Sequence, residues 1–168
     1  APPAEPLRLS AGLGPVASLG TAPALALGGV LSLQAALGRW LLRVEGRGDL
    51  PASASAGALG RVESSLLAGS LMLGAREGPV FAGAVGTVGS LAATSTEVRE
   101  SRRRNALFLA AGFRLGVALR LGDRVEAGGH VEVLANAARH TLVISGAPAY
   151  VYPVASANLA GSILVRFW

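Results

Sequence analysis

The segment from Trp40 to Leu50 alternates with period two. Trp40, Leu42, Val44, Gly46, Gly48 and Leu50 share one parity, while Arg43, Glu45, Arg47 and Asp49 share the other, behind Leu41. Successive side chains of a strand point to opposite faces, so the segment reads as a strand with one apolar and one salt-bridged face. On a helix the four charges would scatter around the wheel and leave no apolar stripe. The same alternation predicts strands along the rest of the chain. Leu7, Leu9, Ala11 and Leu13 oppose Arg8, Ser10, Gly12 and Gly14 in a first strand ending near Leu19. After a turn over Gly20–Pro23, Leu25, Leu27, Leu31, Leu33, Ala35 and Leu37 oppose Gly28, Ser32, Gln34 and Gly38 in a second. The third is Trp40–Leu50.

A fourth strand, about Arg61 to Leu73, starts with Arg61, Glu63 and Ser65 on the polar face; its parity blurs at Leu66-Leu67, where a β-bulge would re-aim the side chains. A fifth, Pro79 to about Leu91, has small and apolar residues on both faces and no readable orientation. In the sixth, Leu107 to Leu119 at every second position oppose Gly112, Arg114, Gly116 and Arg120. In the seventh, Val125, Ala127, Val131, Val133 and Ala135 oppose Glu126, Gly128, His130, Glu132 and Asn136. The eighth sets Ala155, Ala157, Leu159, Ile163, Val165 and Phe167 against Ser156, Asn158, Ser162 and Arg166. Connections after the first turn run short (38–39), long (51–60), short (75–78), long (92–105), short (122–124) and long (139–150), the last a loop or extended hairpin tip.

Composition decides which face points inward. The chain is 51% hydrophobic with mean hydropathy +0.50. Its polar faces are too few to cover the outside of a soluble sandwich. With the faces exchanged, charges inside and Leu, Val and Ala outside, the pattern is that of a transmembrane β-barrel. Eight strands of roughly ten residues suit a tilted membrane strand and an even-numbered antiparallel barrel. Short turns on one side and long loops on the other fit an outer-membrane barrel with both termini periplasmic. The expected fold is therefore all-β, an eight-stranded antiparallel up-and-down barrel over residues 7–168, preceded by a Pro-rich linker or processed terminus over 1–6. A helical alternative rests on the charge-free runs Leu9–Gly38 and Gly78–Thr96, each long enough to span a bilayer. The first is interrupted by Pro15 and Pro23 and alternates with period two.

The chain's end carries a further signal. Leu159, Gly161, Ile163, Val165 and Phe167 alternate toward a terminal aromatic, followed by Trp168. This resembles the closing strand of bacterial outer-membrane barrels, which the barrel-assembly machinery reads as its signal. From Leu7 onward the chain is similar to small OmpA/OmpX-like eight-stranded barrels, and its Ala/Gly/Leu/Arg style looks like barrels from myxobacterium-type genomes. The resemblance implies a bacterial outer-membrane location and an envelope role without catalysis.

An eight-stranded lumen is just wide enough for side chains to fill. Parity sends Arg8, Arg43, Arg47, Arg61, Arg114, Arg120 and Arg166 inward, against Glu45, Asp49, Glu63, Glu126 and Glu132, with Gln34, His130, Asn136 and Asn158 among them. Near-balance of sign is what a buried network requires, and the planar guanidinium binds carboxylates bidentately. The expectation is a plugged, non-conducting interior. Gly12, Gly14, Gly28, Gly112, Gly116 and Gly128 would make room for its long side chains.

The remaining chemistry is sparse. All 15 basic residues are Arg, the net charge is +5 and there is no Cys, which excludes thiol catalysis and disulfides. A nucleic-acid binder would show a broader basic face interleaved with aromatics. Neither HxxxH nor HExxH spacing surrounds His130 or His140, so no metal is expected. His140 with Ser145 invites comparison with barrel-borne lipid hydrolases, but no carboxylate completes the set. Gly83, Gly86 and Gly89 do not match a dinucleotide fingerprint. No catalytic residue and no cofactor are expected. Arg99, Arg102, Arg103 and Arg104 read as a solvated loop run, or as a contact for lipopolysaccharide phosphates. Trp40, Phe167 and Trp168 fit the periplasmic membrane interface and Tyr150 and Tyr152 the external one. Expected partners are membrane lipid, lipopolysaccharide and the assembly machinery, with the barrel a monomer. A small pore or transporter, and a lipocalin-like barrel with apolar residues inward around an apolar ligand, are the alternatives.

Overall fold

The structure, a computed structural model, describes residues 6–55, 61–96, 103–137, 141–144 and 147–167. Its elements are β1 (Arg8–Leu19), β2 (Ala26–Leu37), β3 (Trp40–Asp49), β4 (Ala52–Ser55), β5 (Arg61–Glu77), β6 (Val80–Thr96), β7 (Arg103–Arg120), β8 (Val125–Asn136), β9 (Thr141–Ile144), β10 (Ala147–Val151) and β11 (Ala155–Arg166). The described residues contain no helix. Eight of the strands run in the order β3-β2-β1-β11-β8-β7-β6-β5, and pairing of β3 with β5 closes the ring. Closure leaves no unpaired sheet edge, the condition for a β-structure in hydrocarbon. The short β4 continues along β5 beyond the end of β3, with Ala52 opposite Ser64. The strands β9 and β10 form a separate hairpin over the stretch expected to be a loop or hairpin tip.

Every barrel pair is antiparallel, and its register follows the expected parity in β1, β2, β3, β7, β8 and β11. The inside-out arrangement is plain at the extremes. Leu67 is 70% exposed and Phe113 76%, whereas Arg43 is 2% exposed. An exposed apolar belt of Leu13, Leu31, Leu71, Val88, Leu109 and Ile163 runs around the outer wall. Gly38 and Gly78, both at φ +58°, begin the two-residue turns β2–β3 and β5–β6, a conformation that needs glycine.

Two strands depart from the sequence reading. The β5–β6 register runs without interruption from Arg61↔Thr96 to Glu77↔Val80, so there is no bulge at Leu66-Leu67. Leu66 enters the lumen and Leu67 meets the outside. Consequently Val62, Ser64, Leu66, Ala68 and Met72 point inward, and Arg61 and Glu63 lie on the outer face instead of in the lumen. The physical reason is height. The strands β5 and β6 are 17 residues long and rise past the end of β3. Their outer face up there needs no apolar cover.

Most inward glycines serve close approach of the neighbouring strand more than side-chain room, whereas Gly116 does make room, for the Phe81 ring. A Cβ on Gly14, Gly112 or Gly74 would collide with the neighbouring strand's carbonyl oxygen at Gly161, Val133 or Ala82. At Gly12 and Gly128 the nearest such oxygen would lie 2.7 Å away. By contrast nothing lies within 4 Å of a Cβ at outward Gly46 or Gly86. Glycine permits the sharp inward bend of a narrow barrel.

Candidate functional site: the barrel lumen

The centre of the lumen holds three arginines, Arg43, Arg47 and Arg114, against three carboxylates, Glu45, Asp49 and Glu132. Inward parity on β3, β7 and β8 delivers all six. They form two groups. In the larger one, Arg43 Nε lies 3.1 Å from Glu45 Oε1, and Glu45 Oε2 accepts from Arg114 Nη2 at 2.5 Å. Arg114 Nε and Nη2 both donate to Glu132 Oε2, at 2.9 and 2.6 Å. Glu132 Oε1 accepts from Asn158 Nδ2 at 2.8 Å. Charge thus alternates along a chain from β3 through β7 to β8, and the neutral Asn158 amide of β11 ends it. Arg43 also donates to Ser32 Oγ at 3.3 Å.

In the second group Arg47 grips Asp49 with both arms of its guanidinium, Nε to Oδ1 at 2.7 Å and Nη2 to Oδ2 at 2.5 Å, and donates to Ser18. Every buried charge therefore faces an opposite one. That matters because an ion taken out of water without a partner costs several kcal/mol, on the order of the stability of a small domain. His130 is buried beside this network, its ring edge-on to Phe81 with centroids 6.4 Å apart.

A third ion group seals the end that carries the termini. Arg76 Nη1 donates to Glu126 Oε2 at 2.7 Å, and Arg120 Nε sits 3.6 Å from Glu126 Oε1. Arg120 is more rim than lumen, with its side chain 55% exposed. Arg76 was missed in the sequence because its segment read as a turn. The unbroken parity of β5 from Val62 onward is the signal that locates it.

The other half of the lumen is apolar. Leu66, Met72, Phe81, Val85, Leu91 and Phe108, from β5, β6 and β7, form a buried cluster. Tyr152 joins it and does not sit at the external membrane interface as expected. The barrel is thus plugged by an ion network against one wall and a compact apolar core against the other. A cavity of about 20 Å³ remains among the charges, room for roughly one water.

Trp40 and Phe167 are exposed on the outer wall, 55% and 60%, at the end bearing the termini. Arg39 stacks over the Trp40 ring, 5.2 Å from its centroid. Leu159, Ile163 and Val165 share the outer face of β11 with the apolar belt. Arg99, Arg102, His140, Ser145 and Trp168 lie outside the described residues, and of Arg103 and Arg104 only the strand backbone is described. No group of three or more His, Asp or Glu residues able to hold a metal occurs among the described residues.

The closed eight-stranded ring, the apolar outer belt and the part-ionic, part-apolar interior give the chain the fold of small outer-membrane β-barrels. Solved structures share the architecture. Neisserial surface protein A superposes with TM-score 0.55 at 12% identity, covering 96% of this chain and 97% of that one. Ail, the attachment invasion locus protein of Yersinia pestis, gives 0.53 at 13% identity over 96% and 99%. A major outer membrane protein from Thermus thermophilus gives 0.53 at 17% identity over 95% and 99%. No protein-family model and no curated protein sequence matches the chain.

Proposed function

We propose that the chain is a non-enzymatic barrel of a bacterial outer membrane, a structural or anchoring module whose lumen is closed to solutes. The observation that carries this reading is the filled interior, with every buried ion partnered and an apolar core beside the network. The start of β1 and the end of β11 lie at the end with the short turns, which in outer-membrane barrels is the periplasmic one. Insertion would place the longer connections 20–25, 50–60, 97–102 and 137–154 outside. Planar-bilayer recording on the refolded protein tests the closed lumen. Only brief or undetectable openings are expected, and a large, steady single-channel conductance would make the protein a pore.

The external segment with Arg99 and Arg102, together with Arg103 and Arg104 at the start of β7, would then face the outer leaflet. Guanidinium groups pair well with phosphate, so this segment is proposed to contact lipopolysaccharide phosphates. Replacing the four by Ser is expected to weaken lipopolysaccharide binding about tenfold or more, since each charge-assisted contact contributes about 1.5–3 kcal/mol. Unchanged affinity would remove this part of the proposal and leave the anchoring role intact.

A further inference from the structure

Four buried polar atoms on residues around the central cavity lack a hydrogen-bond partner among the described groups. One, Glu45 Oε1, has its charge met by Arg43 Nε at 3.1 Å. The other three are Arg114 Nη1, His130 Nδ1 and Asn158 Oδ1. Their residues are 3%, 6% and 5% exposed, so bulk solvent does not reach them. All three residues line the same cavity of about 20 Å³, together with Glu45, Arg47 and Glu132.

The chemistry of the three atoms is complementary. A guanidinium nitrogen can only donate. The Asn158 amide is oriented by its Nδ2, which donates to Glu132 Oε1, so Oδ1 is left to accept. The imidazole Nδ1 donates or accepts according to tautomer. An occupant must therefore both donate and accept. Size narrows the choice, because a cavity of about 10–15 Å³ is already enough for a single water. Charge narrows it again. Arg47 and Arg114 stand against Glu45 and Glu132, so the walls carry no net charge to favour an ion. An anion would meet the amide oxygen and both carboxylates, and a cation would meet Arg114.

We propose that one water molecule is a built-in member of the lumen network, held jointly by Arg114, His130 and Asn158. It joins β7, β8 and β11 at one point and brings His130 into the charge chain that Arg43, Glu45 and Glu132 share. Buried waters of this kind make about three hydrogen bonds, the number available here.

A high-resolution crystal structure of the refolded protein, with a second crystal soaked in bromide, tests the site. The expected result is a density peak within about 3.2 Å of all three atoms and no anomalous signal there. An anomalous peak, an empty cavity, or direct protein–protein bonds from the three atoms would overturn it. In micelles, a rotating-frame cross-peak from water to the Asn158 side-chain amide should be present. It should fall severalfold in His130→Phe, with heat-modifiable migration retained as the control for folding. An undiminished cross-peak in that variant would refute the three-partner site.

Discussion

Arg114 is the residue on which the lumen turns, because two buried carboxylates, Glu45 and Glu132, both depend on it. Arg114→Met should leave Glu132 with no ionic partner and Glu45 with Arg43 alone, and destabilise the barrel by about 3–5 kcal/mol. Adding Glu132→Gln to it should restore most of the loss, since what harms the single variant is the stranded charge and the Arg43–Glu45 pair stays balanced. Urea unfolding in detergent or bilayers reads both. Equal destabilisation of the single and double variants would show that packing, not charge, sets the cost. At this scale the alternation of Trp40–Asp49 made the central charges legible without structure. Their partners across the ring were not, because pairing Glu45 with Arg114 spans 69 residues and needs the strand order. Arg61 and Glu63 misled for a simple reason. Charge marks the lumen only at membrane depth, and those two stand above it.

Among the elements, β5 and β6 were the hardest to orient, with Leu, Ala, Val and Gly on both faces. The structure shows why: their inner face builds the apolar half of the plug, so both faces are apolar and periodicity carries no contrast. Across β5, β6 and β7 the glycines sort by face instead. Gly112→Ala on inward β7 should cost about 1–3 kcal/mol or prevent closure, as overpacking against a carbonyl oxygen does. Gly86→Ala, outward with open space around its Cβ position, should stay within about 0.5 kcal/mol of the parent. Unfolding midpoints of the two variants compare them directly, and equal losses would contradict the assignment of the inward glycines to curvature. Leu71 and Arg61, ten positions apart on the same outward face of β5, extend the test. Leu71→Arg should cost about 2–4 kcal/mol if it sits near the bilayer midplane. Arg61→Leu should change little.

For the whole molecule, the alternating faces, the even strand count and the short–long rhythm of connections all pointed to one closed cylinder before any coordinates. What they could not convey was how the interior divides into an ionic and an apolar part, since β3, β7 and β8 each contribute to both while the described inward side chains in the apolar cluster from β5 and β6 join only the apolar one. The most direct measurement of the inside-out claim exploits the absence of cysteine. Single cysteines at Leu31, Leu71, Val88 and Phe113, spin-labelled and reconstituted in lipid, would report local accessibility to oxygen and to a water-soluble nickel chelate. The account predicts high oxygen and low nickel accessibility at all four. High nickel accessibility there, or labels immobilised in a packed core out of reach of both reagents, would contradict it.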